Sequence, residues 1–137
     1  MRFGVLFYGS LAVLALLGCA GPTKYQVTGS GRDPGADGRI TVQRVEGGNA
    51  MVTLDLDHLA PPSRMEEGAT TYVVWFNRQG QAPSRVGQLA YDMGKRTGTM
   101  RATTTDRQFG VLVTAERSGA VQAPSTVVIF EKQVEAP

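Results

Sequence analysis

The fold of this 137-residue chain is decided by the stretch TTYVVWFN at residues 70–77. Successive side chains of a β-strand point to opposite faces, so Tyr72, Val74 and Phe76 share one face and the valine and tryptophan between them share the other. β-Branched and aromatic residues favour strands, and a strand that is apolar on both faces is covered on both. The stretch predicts the central strand of a sheet, with Trp75 in the core rather than exposed as a platform for stacking a sugar or a peptide.

The segments that flank residues 70–77 repeat the same two-residue period. Residues 51–59 alternate between apolar Val52, Leu54 and Leu56 and mainly polar neighbours, which is typical of a strand with one buried and one solvated face. Turn-forming residues separate the other alternating segments, which are 24–28, 40–43, 84–91, 98–105, 108–116 and 125–134. The sequence predicts an all-β fold, an immunoglobulin-like antiparallel β-sandwich of about seven to eight strands.

The start of the chain carries a targeting signal. Arg2 precedes an apolar run over residues 3–17, and a charged start, a short apolar run and a small residue before a cleavage point make up a secretory signal peptide. The run is shorter than the ~20 residues that a membrane-spanning helix needs. Removal of a signal peptide is therefore favoured over its retention as a span.

The end of this signal, LLGC at residues 16–19, resembles the lipobox of bacterial lipoproteins. The resemblance implies that the thiol of Cys19 is joined to diacylglycerol and that residues 1–18 are cleaved off. Ala20 follows the cysteine, where an aspartate would imply retention at the inner membrane, so the resemblance favours the outer membrane. The alternative is an ordinary signal peptide in which Cys19 is incidental.

The predicted organisation has three parts. Residues 1–18 are the signal peptide, residues 19–38 hold the lipidated Cys19, a linker and an edge strand, and residues 39–137 form the β-sandwich. Cys19 is the single cysteine, which excludes an intrachain disulfide. Loss of Arg2 with the signal peptide lowers the formal net charge from +2 to +1. The basic residues are scattered, which argues against a nucleic-acid partner, and no cofactor is predicted.

A set of positions between residues 50 and 130 follows a family pattern. They are Leu59 with Pro61 and Pro62, the stretch 72–75, the turn at Gly80, and the segments 87–89, 113–116 and 124–125. In these positions the chain resembles the extracytoplasmic domain of anti-sigma-K-type regulators. The resemblance implies an immunoglobulin-like sandwich on the far side of a membrane. The family's cytoplasmic sigma-binding part and transmembrane helix are not found in the sequence, so its regulatory activity is an alternative only.

Asp55, Asp57 and His58 are the one cluster of ligand-type residues in the sequence. The two carboxylates share a strand face and could offer oxygen ligands to Ca²⁺, which takes about six to eight oxygens. No loop rich in Asp, Asn and Gly supplies the other ligands, so no metal site is predicted. We expect a solvated face on which each carboxylate lies opposite an Arg or a Thr of the neighbouring strand.

Any catalytic triad in this chain would have to use His58, because the usual triads need a histidine as the base and the chain has one histidine. We place His58 at the end of its strand, on the face opposite to Asp55 and Asp57, in a structural role. A hydrolase that uses His58 is an alternative, and it requires a hydroxyl and a carboxylate beside the ring in a cleft. The sequence shows no other catalytic constellation, and we predict that the protein is not an enzyme.

The loop with Met65, Glu66 and Glu67 is the candidate binding site, because it lies at one end of the predicted sandwich, where binding loops are commonly placed. Glu116 ends an otherwise apolar strand, and we expect it to accept backbone N–H bonds from the loop of residues 117–123 or to pair with the next residue, an arginine. The sequence thus favours a membrane-anchored envelope lipoprotein with a non-catalytic binding or structural module that meets another protein. A sensory or regulatory domain and a hydrolase are the alternatives.

Overall fold

The computed structural model describes residues 20–137. The predicted signal peptide and Cys19 lie outside them. The described chain contains nine strands, one single-turn helix α1 and one short 3-10 turn. The strands are β1 (Thr23–Thr28), β2 (Asp37–Arg44), β3 (Ala50–Asp57), β4 (Thr71–Asn77), β5 (Ser84–Gln88), β6 (Ala90–Asp92), β7 (Thr97–Thr104), β8 (Gln108–Glu116) and β9 (Val128–Glu135), and α1 covers Pro62–Met65.

Two antiparallel sheets make up the fold, which confirms the predicted all-β sandwich. The five-stranded sheet has the order β1-β2-β3-β7-β6, and the four-stranded sheet has the order β5-β4-β8-β9. The described residues contain nine strands rather than seven to eight. One reason is that residues 84–91, predicted as one strand, divide into β5 in one sheet and β6 in the other.

The strand order is that of an immunoglobulin sandwich. Constant-type immunoglobulin domains place strands A, B, E and D in one sheet and strands C, F and G in the other. Counted along the chain from β2, the order β2-β3-β7-β6 corresponds to A-B-E-D, and β4-β8-β9 corresponds to C-F-G. β1 adds an edge strand beside β2, and β5 adds one beside β4.

The core is built around β4, which is buried on both faces as predicted. Tyr72, Val74 and Phe76 pack into the main core between the sheets. On the other face, Trp75 is fully buried beside Val73. This second face would lie on the outside of a bare sandwich, and it is covered by the loop of residues 117–127, which we call the β8–β9 loop, and by neighbouring strand side chains. The prediction that Trp75 is a core residue is confirmed.

The chain changes sheets between β5 and β6. The backbone N–H of Leu89 still donates to the carbonyl of Tyr72 in β4 at 2.9 Å, whereas Ala90 already pairs with Thr99 in β7. Gly98 lies where any larger side chain would meet the side chain of Leu89, so the close crossing depends on a glycine there. Because β6 is short, it covers β7 over residues 97–99 alone.

The alternation of buried and exposed side chains along β3 can be tested with a matched pair of substitutions. We expect Leu54→Ala, at a side chain 1% exposed, to lower the free energy of unfolding by about 2–5 kcal/mol through lost burial and a cavity. Asp55→Ala, on the solvated face of the same strand, should change it by less than about 0.5 kcal/mol. Equilibrium unfolding in urea measures both, and equal effects would contradict the assignment of the faces.

Candidate functional site

The two ends of the sandwich present different segments. β1 begins at Thr23, which lies opposite Val42 near the end of β2. The start of the described domain is therefore at the same end as the turns 45–49, 78–83 and 105–107. The opposite end carries α1, the segment after it and the β8–β9 loop. We call these the Thr23 end and the α1 end.

The predicted binding residues Met65, Glu66 and Glu67 lie at the α1 end. Met65 closes α1 and is half-buried against the core, whereas both glutamates are exposed. Nη1 of Arg32 donates to the carbonyl of Met65 at 3.5 Å. The structure thus leaves two carboxylates of the predicted loop free to contact a partner, while the methionine side chain takes part in packing.

The segment that leads into α1 is held by hydrogen bonds to both sheets. The backbone N–H of Ala60 donates to Oδ2 of Asp33 at 2.9 Å, and the hydroxyl of Tyr91 donates to the carbonyl of Leu59 at 2.9 Å. The hydroxyl of Tyr72 donates to the carbonyl of Ala60, and burial raises the pKa of Tyr72. Because β4 and β6 both contribute, the position of α1 is coupled to the packing of the two sheets.

The two aspartates of β3 lie on an exposed face. Asp55 lies opposite Arg39 and Thr99, as expected for a solvated surface. Asp57 lies opposite Asp37, so the expectation of an Arg or a Thr there is wrong. In the part of the chain that the structure describes, no three side chains of metal-binding type come together.

His58 lies beside this pair of like charges. Nδ1 of His58 lies 2.6 Å from Oδ1 of Asp37, and the imidazole is exposed. His58 has a φ of 56°, which ends the alternation of β3 and turns the ring toward Asp37. The expected position on the face opposite to the aspartates is therefore wrong. The hydrogen bond to Asp37, and then its charge, raise the pKa of His58, and the more distant Asp57 adds to the effect.

This geometry provides one part of the arrangement that a hydrolase using His58 requires. The carboxylate is present, but the ring is 71% exposed rather than enclosed in a cleft. The ring hydrogen bond found in the described chain is the one to Asp37, and no hydroxyl takes part in it.

A buried polar network underlies the β8–β9 loop. Nε1 of Trp75 donates to Oγ1 of Thr114 at 2.9 Å, and that hydroxyl donates to Oε1 of Glu116 at 2.6 Å. The same Oε1 accepts the backbone N–H of Ser125 at 2.7 Å. Glu116, 5% exposed, therefore accepts a backbone N–H, as one of the two expectations had it, but the donor is Ser125 rather than a residue of the expected range 117–123. The link between Glu116 and Trp75 through Thr114 was not predicted, although Trp75 and Thr114 lie on the same face of their sheet.

A groove runs at the side of the sandwich between the edge strand β5 and the part of β7 that β6 does not cover. It has a volume of about 480 Å³, and its lining extends from the strand edges to the turns of the Thr23 end. Apolar and hydroxyl side chains and two arginines line it, among them Phe76, Val86, Ala102, Ser84, Arg78 and Arg85. The sequence does not indicate this groove, because it arises from the change of sheets at Leu89.

Comparisons with protein-family models, with curated proteins and with solved structures find no match to this chain. Within residues 20–137, no helix has the length and apolar character needed to cross a membrane.

The network predicts that Glu116 controls the order of the loop. We expect Glu116→Ala to lower the free energy of unfolding by about 1–3 kcal/mol, because it leaves a buried hydroxyl and a backbone N–H without their acceptor. Amide hydrogen exchange should rise in residues 117–127. Glu116→Gln keeps an acceptor oxygen and should retain most of the protection, and Glu67→Ala, at an exposed carboxylate, serves as control. Unchanged exchange in the alanine variant would contradict the assigned role.

The pair formed by His58 and Asp37 predicts a pH dependence. The chain has one histidine, so a single imidazole resonance should titrate with a pKa above 6.5. Asp37→Asn should lower that pKa by more than the control Asp57→Asn. Because the pKa is raised in the folded state, the stabilisation by His58 is complete below pH 6.5 and is lost as the pH rises through the folded-state value. The parent should therefore be more stable than His58→Gln at low pH, and this difference should shrink as the pH rises through the folded-state pKa. A difference that does not change with pH would contradict the ion pair between His58 and Asp37.

Proposed function

We propose that this chain is a lipid-anchored lipoprotein of the bacterial cell envelope whose immunoglobulin-like sandwich is a non-catalytic module that binds another protein. The observation that carries the proposal is the position of β1. It begins at Thr23, four positions after the cysteine of the lipobox-like sequence. A fully extended chain of this length spans at most about 14 Å, so acyl chains on Cys19 would hold the Thr23 end close to the membrane surface.

The anchor is supported by a simple energetic argument. Each buried methylene contributes about 0.8 kcal/mol to membrane binding, and a single acyl chain binds only marginally. Two or three chains on Cys19 would give stable attachment without a membrane-spanning helix. Ala20 after the cysteine favours the outer membrane.

The binding role is supported by what the sandwich leaves exposed. The α1 end carries Glu66 and Glu67 on a segment that hydrogen bonds hold in place, and the side of the sandwich carries the groove between β5 and β7. Binding residues on loops and edges of a rigid scaffold are common in proteins of this architecture. Both surfaces would be accessible on a domain tethered at its Thr23 end.

A sensory or regulatory domain is the second candidate, and the immunoglobulin-like strand order is the observation that favours it, since the resembled family of anti-sigma-K-type regulators has such a domain beyond the membrane. This candidate requires a partner encoded nearby, either a sigma factor or an inner-membrane regulator. A genomic neighbourhood with neither would count against it.

The anchor predicts a clear phenotype for Cys19→Ser. We expect the parent to fractionate with membranes and to incorporate labelled palmitate, and the variant to lose both, because the acylated sulfur is gone. Ala20→Asp keeps the cysteine, so it should still be labelled but should shift toward the inner membrane. Equal labelling of the parent and Cys19→Ser would exclude the anchor.

The binding role is tested by cross-linking in intact cells followed by purification of the tagged full chain. We expect the parent to be recovered with one protein in a fixed ratio, and Cys19→Ser to lose that protein. Recovery of the parent alone at all cross-linker concentrations would exclude the binding role.

A further inference from the structure

We propose that the free edge of β7, residues 100–104, together with the adjoining groove, accepts an extended acidic segment of the partner protein as an added strand. The inference rests on the proposed protein-binding function, and it names the site and the chemistry of the partner. Strand addition to an exposed sheet edge is a general mode of peptide recognition, in which backbone hydrogen bonds supply affinity and alternate side-chain pockets supply specificity.

The first support is the unpaired edge itself. β7 pairs with β3 from residue 98 to residue 104 on one side, but on the other side β6 pairs with residues 97–99 alone. In the described chain, no strand borders residues 100–104 on the groove side. Unpaired backbone groups along a strand edge are a template for another strand, and an incoming segment would continue the line that β6 begins.

The second support is the shape and polarity of the groove. Ala102 lies opposite Val52, a fully buried core residue, so the face of β7 that carries Ala102 is directed toward the space between the sheets. Phe76 and Val86 line the same space. A strand added beside β7 would direct every second side chain into this groove, where small apolar residues fit the lining.

The third support is charge. Arg101 and Thr103 lie on the outer face of β7, and Arg101 is exposed and forms no salt bridge with any residue of the described chain. The groove lining holds no Asp or Glu. Its two arginines are already engaged, since Arg78 pairs with the nearby Asp106 and Nη1 of Arg85 donates to the carbonyl of Gly119 at 3.0 Å. The charge available at this edge is therefore that of Arg101. Opposite charges on neighbouring strands stabilise a sheet. The outward side chains of an added strand beside Arg101 would therefore be Asp or Glu.

The same charges argue against a second copy of this chain as the occupant. A two-fold contact between identical edges brings the same patch of both molecules together. The outer face of residues 100–104, which carries Arg101 and Thr103 and no acidic side chain, would then meet itself, and the two copies of Arg101 would approach each other with no opposite charge between them. The favoured occupant is a different protein with a segment that alternates small apolar and acidic residues.

Hydrogen exchange on the purified full chain in detergent tests the site with a defined probe. The probe is a short peptide with blocked ends that alternates valine and glutamate, and the matched probe alternates valine and lysine. We expect the glutamate peptide to protect residues 100–104 and the lysine peptide not to do so. Arg101→Glu should weaken binding of the glutamate peptide by about fivefold to tenfold and improve binding of the lysine peptide.

Controls separate this site from other effects. Arg39→Glu changes an exposed arginine on the same sheet away from the edge, and it should leave both peptides unaffected. Thr103→Glu adds a like charge beside the glutamate peptide and should weaken it as Arg101→Glu does. Equilibrium unfolding of each variant verifies that the fold is retained.

Several outcomes would overturn the inference. Equal protection by both peptides, or by neither, would exclude an acidic strand at this edge. Protection that rises with the concentration of the chain alone would identify a second copy as the occupant. If cross-linking in cells recovers a partner equally well with Arg101→Glu and with the parent, the partner binds elsewhere. That last result excludes this site but leaves the proposed binding function intact, whereas absence of any partner would exclude the function.

Discussion

The burial of β4 on both faces is the constraint on which the rest of the structure depends. A strand with Tyr72, Val74 and Phe76 on one side and Trp75 on the other needs two apolar covers. The opposing sheet provides the first, and Val121 of the β8–β9 loop contributes to the second together with the strand residues Leu112 and Val128. A loop is a poor cover by itself, because its backbone must be ordered at an entropic cost of about 1–2 kcal/mol per residue. The buried Glu116 reduces this difficulty by binding one end of the loop to the strand next to β4.

The two lateral sides of the sandwich differ in how the edges of their outer strands are covered. At the β1 and β9 side, the hydroxyl of Tyr25 both accepts from the backbone N–H and donates to the carbonyl of Glu135, and Ser30 donates its backbone N–H to the carbonyl of Ile129 at 2.8 Å. These contacts close that side. At the other side a single stretch, residues 84–92, serves both sheets in turn and cannot cover both edges along their whole length. The open edge of β7 is the direct result.

Features that depend on residues close together in the sequence, such as the buried face of a strand, could be predicted. Features that depend on which strands lie side by side, and in which register, could not. The alternation around Leu54 and the apolar character of β4 are local, so the faces of both strands and the position of Trp75 could be predicted. The partner of Asp57 depends on the register with β2, and the position of His58 depends on one positive φ. The division of residues 84–91 depends on where β4 and β7 lie. None of these relations leaves a periodic signal in the sequence, and the groove follows from the last of them.

The proposed tether and the groove together would restrict which partners are suitable. The groove extends to Asn49 and Thr105, which belong to turns of the Thr23 end, and that end would be held within about 14 Å of the membrane by a four-residue tether. A partner segment bound there would run close to the lipid surface, whereas Glu66 and Glu67 at the α1 end would face away from it. Confinement near a membrane raises the effective concentration of two proteins anchored to the same surface. An edge that binds only weakly in solution would therefore be sufficient for a partner that is itself held at the membrane.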